Sequence, residues 1–78
     1  MDIQEFIEKI ETEFDDLEKG VLKPESIFRD AFEWNSVNAL IFIALINVEY
    51  DVILNADDLK NSKTVQDLYD IVLSRYKG

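Results

Sequence analysis

The chain has 78 residues, with no cysteine, no histidine, one proline and two glycines. Without cysteine no disulfide framework can staple so small a fold, so its stability must come from packed side chains. That composition suits a reducing compartment. Without cysteine and histidine there is no thiol nucleophile, no Ser–His triad and no zinc cluster. An enzyme is not expected, and no catalytic or metal-ligating residue is assigned. The pair Asp57-Asp58 falls short of the ligand count of a calcium loop. Cations are scarce too: 8 Lys and Arg stand against 17 Asp and Glu, for a net charge of −9. So acidic a chain lacks the basic footprint that holds nucleic acid, and it would be repelled by an anionic membrane surface. No apolar run reaches the ~18 residues of a membrane span, and no basic-plus-apolar leader opens the sequence. A single domain over residues 1–78, monomeric and cytoplasmic, is the expectation. Its length lies near the lower limit for a self-sufficient core, since small domains bury only ~60% of their unfolded surface.

What is present is helical periodicity. Ile3, Phe6, Ile7, Ile10, Phe14 and Leu17 recur at helical spacing and predict an amphipathic helix over 2–18. Asp2 stands at its start, and Gly20 is a plausible stop. Glu5, Glu8, Glu11 and Glu13 fall off the apolar face. The pattern breaks from Val21 to Trp34, an ordered loop with at most a short helical turn opened by Pro24-Glu25 and running through Ile27 and Phe28. Ile27, Phe28, Phe32 and Trp34 are apolar enough to pin this long connection to a core. A second long helix should run from about Ser36 to Tyr50 with Asn35 as its N-cap. Residues 51–54, Asp-Val-Ile-Leu, should be extended. Residues 55–61 suggest one or two helical turns capped by Asn55. Thr64 should cap a last helix reaching about Tyr76, with Thr64 and Asp67 placed as a capping box and an inner face of Val65, Leu68, Tyr69, Val72 and Tyr76. The expected fold class is all-α: three main helices, one short third helix and a long first loop.

The helix from Ser36 is apolar on two sides. Ala39, Phe42, Ile43, Ile46 and Tyr50 share one face; Val37, Leu40, Ile41, Ala44 and Val48 share another. Two arrangements fit. The helix could be the fully covered centre of the bundle, or its second face could be open and meet a partner. One exposed apolar side chain buried against a partner contributes ~1.5–3 kcal/mol, against ~0.2–1 kcal/mol for an exposed ion pair. Two or three such contacts would outweigh several surface charges.

Of the four serines, Ser74 falls late in a helix, Ser62 in a turn and Ser26 after Pro24-Glu25. Ser36 is distinctive because it heads the most apolar helix, directly after Trp34-Asn35. Unpaired amides and the helix dipole favour negative charge there, so a phosphate ester on its hydroxyl would be well placed. An ordinary helix-start serine fits the same position.

The segments around Ser36 resemble the acyl carrier protein family over nearly the whole chain. That family has an Asp-Ser-Leu signature at the start of its second helix; here the tripeptide is Asn35-Ser36-Val37. Residues 22–34 (LKPESIFRDAFEW) are similar to the family's loop before the serine. Residues 48–54 (VEYDVIL) are similar to the close of its second helix. Residues 57–76 (DDLKNSKTVQDLYDIVLSRY) are similar to its short third helix and the Thr-Val opening of the last. The resemblance implies a four-helix carrier bundle in which Ser36 bears a covalent 4′-phosphopantetheine arm taken from coenzyme A. It implies a phosphopantetheinyl transferase as one partner, and acyl-loading and acyl-processing enzymes of fatty-acid, polyketide or specialised lipid biosynthesis as others. Acyl groups would ride as thioesters on the arm, whose thiol a chain without cysteine cannot supply itself. A peptidyl or aminoacyl carrier shares these features, and an unmodified helical interaction module remains the alternative outside the carrier class. Two departures stand out. Asn35 replaces the family's aspartate, keeping the cap but losing a charge. The expected partner-facing residues Val37, Leu40, Ile41, Ala44 and Val48 are apolar where the family usually carries acids, which suggests a specialised carrier.

Overall fold

Helix α1 (Ile3–Glu13) opens where Asp2, in extended backbone, accepts the Glu5 amide proton on its carboxylate. Its apolar row delivers Phe6, Ile7 and Ile10 to the core. A computed structural model describes residues 2–14, 20, 22–31 and 34–77. After α1 come α2 (Phe28–Ala31), α3 (Ser36–Tyr50), α4 (Ala56–Asn61) and α5 (Val65–Arg75), with no strand among the described residues. The all-α class and the long first connection stand as the sequence predicts. The short helical turn allowed for in that connection is α2, which starts at Phe28 and not at Pro24-Glu25.

The three long helices surround one core. Phe42, Ile46 and Tyr50 come from α3, and Val65, Leu68, Tyr69 and Val72 from α5. Phe6 is fully buried at their meeting point. Its ring lies 5.4 Å from Tyr69, 6.1 Å from Tyr50 and 6.3 Å from Phe42, separations at which aromatic pairs attract beyond their buried area. Lys9 Nζ adds a 2.8 Å ion pair to Glu49 between α1 and α3. The Tyr50 hydroxyl is buried and has no hydrogen-bond partner among the described residues. Burial pushes its pKa up to about 12.

Two expectations for α1 need correction. The helix ends at Glu13, not near Gly20, because Phe14 turns to extended backbone and buries its ring; Leu17 lies outside the described residues. Glu11, expected on the outer face, is buried. Its Oε2 accepts the amide protons of Gly20 (2.8 Å) and Leu22 (3.3 Å), so a carboxylate replaces water as their partner. Gly20 has a φ of 85°, a left-handed value open to glycine without strain, and this lets the chain turn back toward α1.

The connection is then tied to the start of α5. The amides of Val65 and Gln66 donate to the carbonyls of Ser26 (3.0 Å) and Pro24 (2.9 Å), and Phe28 N–H donates to Lys63. Phe28 is buried and Trp34 half-buried, as expected of residues that pin the loop. Phe32 lies outside the described residues. Ile27 departs from the expectation: it is 37% exposed and forms an isolated bridge with Thr64.

Helix α3 has the predicted bounds. It closes at Asp51, whose φ of 55° is left-handed; aspartate tolerates this better than most side chains. Residues 52–54 then alternate, with Val52 and Leu54 buried and Ile53 75% exposed. Both later helices start with capping boxes, Asn55 with Asp58 and Thr64 with Asp67.

Candidate functional site

Ser36 is the first residue of α3. Asn35 precedes it in extended backbone, and its Oδ1 accepts the amide proton of Asn38 at 2.8 Å. The first turn of α3 holds no acid, so the dipole's positive end meets no opposing charge from the helix itself. Ser36 is exposed. Among the described residues its hydroxyl makes no hydrogen bond. The other serines are occupied locally. Ser62 Oγ is buried and donates to Asp58 O at 2.8 Å; Ser74 Oγ donates to Ile71 O at 2.7 Å. Ser26, in the turn before α2, accepts the Lys23 amide proton at 3.0 Å.

Ser36 also lines a cleft of about 340 Å³ between α3 and α4. Trp34, Ala39, Leu40 and Ile43 form one side, and Ala56, Leu59 and Lys60 the other. Trp34 is itself braced, edge to face, by Phe28 at 4.9 Å and Phe42 at 6.4 Å. The serine thus stands at one end of an apolar slot lined by Ala39, Leu40 and Ile43. These residues fall three, four and seven positions after Ser36, a helical stripe. The sequence had divided them between the core face and the outward face. That spacing was the available signal for the cleft.

The core face of α3 buries Phe42, Ile46 and Tyr50 and leaves Ala39 and Ile43 half-buried. On the outward face Val37 is 63% exposed, Leu40 66% and Val48 78%. Ala44 is exposed as well, and Ile41 is half-buried. Of the two arrangements compatible with the sequence, the structure has the open one. Ile53, just beyond α3, is exposed as well.

Two residues that the sequence did not single out hold the far wall. Arg29 Nη2 donates to the carbonyls of Leu59 (2.6 Å) and Lys60 (3.0 Å) at the end of α4. Arg75 forks onto both carboxylate oxygens of Asp58, at 2.6 and 2.9 Å, and also reaches Ile53 O at 3.1 Å. The guanidinium holds the Asp58 carboxyl below the usual carboxylate range, helped by the Asn55 amide. Asp58 therefore serves a cap and an ion pair. Among the described residues no group of three or more His, Cys, Asp or Glu is placed to hold a metal ion. No helix there is long and apolar enough to cross a membrane.

A small helical bundle with an exposed serine heading one helix, beside an apolar cleft, has the form of a carrier domain. The profile of the phosphopantetheine attachment site family matches residues 4–72, and the chain belongs to that family. Neither the curated proteins nor the solved structures returned a match. The family carries 4′-phosphopantetheine covalently, and its domains are carriers, not catalysts, that meet modifying and processing enzymes. The residues present fit such a group. Ser36 offers an open, unengaged hydroxyl, and Asn35 caps the helix beside it without covering it.

Proposed function

We propose that the chain is an acyl carrier protein, with Ser36 as the attachment point of 4′-phosphopantetheine. One observation carries this reading: the exposed Ser36 hydroxyl lies at the edge of an apolar cleft. When attached, the arm supplies the thiol that bears acyl groups as thioesters. The protein's own residues do the rest. Asn35 satisfies the Asn38 amide, and the dipole of α3 favours the phosphate's charge near the first turn. The cleft walls exclude water from an apolar cargo.

The lining of that cleft favours acyl over aminoacyl or peptidyl cargo. Among the described residues its charged member is Lys60, and no carboxylate among them lines it to neutralise an α-amino group. An ammonium drawn into such a slot would lose water without gaining a partner. The partner-facing surface in this reading is Val37, Leu40, Ile41, Ala44 and Val48. It is an uncharged strip on an acidic protein, suited to processing enzymes with apolar docking sites in a specialised lipid or polyketide pathway. A cytoplasmic monomer accords with the composition.

The test is intact mass after incubation with coenzyme A and a broad-specificity phosphopantetheinyl transferase. A gain of one phosphopantetheine in the wild type, and none in Ser36→Ala, is expected. The exposed strip also favours a second reading, an unmodified helical module that binds a partner or itself. No mass gain together with concentration-dependent dimerisation would establish that reading instead.

A further inference from the structure

The two walls of the cleft are anchored very differently. Helix α3 has fifteen residues and drives Phe42, Ile46 and Tyr50 into the core. Helix α4 has six residues, of which one, Leu59, is buried. A helix of six residues is not stable alone, and an element with so few buried contacts opens easily. Its capping box and the Ser62 contact satisfy its own ends. They do not join it to the neighbouring helices.

Two arginines do. Arg75, at the end of α5, takes the first turn of α4 through a bidentate pair with Asp58, whose side chain is only 13% exposed. Arg29, from α2, takes the last turn through the carbonyls of Leu59 and Lys60, where a helix leaves acceptors unpaired and its dipole favours a cation. The two guanidinium groups come from different helices and hold opposite ends of α4. The planar fork of Arg75 fixes both distance and angle, which an ammonium at the same place cannot do, whereas Arg29 reaches both carbonyls through one nitrogen.

We infer that Arg29 and Arg75 are specificity-determining positioning residues: by clamping α4 they set the width of the α3–α4 cleft and hence the size of acyl group it shelters. This rests on the acyl-carrier reading of Ser36. A cavity of 150 Å³ accepts benzene, ~25 Å³ per carbon, so about 340 Å³ corresponds to a chain of ~fourteen carbons. The clamp makes that size a limit of the folded protein.

The experiment has two arms on the full chain, comparing wild type with Arg75→Lys and Arg29→Ala. In the first, amide hydrogen exchange is followed on the unmodified protein. Protection of Leu59 and Lys60 is expected to fall at least tenfold in either variant, while amides of α1 and α5 keep theirs. Unchanged protection in α4, or a uniform loss across all helices, would overturn the clamp. In the second, Ser36 is loaded from acyl-coenzyme A donors of four to twenty carbons by a broad-specificity transferase. Loading is confirmed by mass, and the thermal midpoint of each acyl form is compared with that of the form bearing the arm alone. The wild-type gain should level off at ~fourteen carbons, and both variants should shift that point to longer chains. Identical length profiles with normal loading would sink the specificity role while leaving the carrier function intact. Failure of the wild type to gain mass would sink the carrier function, and with it the cargo limit, whatever the exchange data show.

Discussion

Helices α1 and α3 face each other across the same aromatic core, yet turn opposite surfaces outward. Beyond Phe6, Ile7 and Ile10, α1 exposes Glu5, Glu8 and Glu13 and spans the gap to α3 with Lys9. Beyond Phe42, Ile46 and Tyr50, α3 has no charged residue from Ser36 through Val48, although its outer side chains are largely exposed. A chain with a net charge of −9 has acids to spare, and α1 shows that they can line a helix packed on this core. The apolar exterior of α3 is therefore not something the fold demands. On the proposed reading it is the side of the molecule that meets partner enzymes.

That contrast can be broken at its shared centre. Phe6→Ala removes the ring that joins both helices and should destabilise the protein by ~3–5 kcal/mol, read from a denaturant midpoint; a loss below ~1 kcal/mol would mean the two helices do not depend on this contact. It can be sharpened on the outer faces. Leu40→Glu or Val48→Glu makes α3 resemble α1, and stability should stay within ~0.5 kcal/mol of wild type. Use by the protein's own processing enzymes should fall about tenfold, corresponding to ~1.4 kcal/mol of lost apolar contact. Kinetics unchanged by either substitution would remove this face from the docking surface.

Smaller effects test the ends of α3. Tyr50→Phe deletes a buried hydroxyl that has no partner among the described residues and should raise stability by ~1 kcal/mol at neutral pH. The same residue has an alkaline signature. Its folded-state pKa of about 12 lies above the ordinary 10, so the stability carried by its protonated form is whole below pH 10 and is lost as pH climbs through 12. Tyr50→Phe should flatten that decline, and parallel pH profiles would contradict the assignment. At the other end, Asn35→Asp keeps the cap and adds a charge at the dipole's positive pole, a gain of ~0.3–1 kcal/mol that added salt should reduce. It should also speed transfer of the arm, measured as the initial rate of mass gain.

The sequence carried the local structure well. Asn35, Asn55 and Thr64 each mark a helix start because a side-chain oxygen acts on an amide three residues away, a contact that needs no knowledge of the fold. The bounds of α3 and the inner face of α5 followed from such signals and from 3.6-residue periodicity. Ser36 was legible through its position at the head of the apolar run and through the resemblance of its flanks. What escaped depends on distance along the chain. Glu11 looked like a surface acid because its partners, Gly20 and Leu22, lie nine and eleven residues on. Arg29 and Arg75 carried no pattern of their own, since their acceptors on α4 lie thirty and seventeen residues away. The cleft was hidden for a related reason: its near wall is a stripe of α3 that belongs half to each of the faces periodicity defines.

The chain's one tryptophan is Trp34, and it forms part of the cleft beside Ser36, between the rings of Phe28 and Phe42. No other indole emits from this protein. Its fluorescence is therefore an unlabelled reporter of that one location. A shift in emission colour as a cargo slides in or swings out would let stopped-flow optics time the exchange in solution, without a dye.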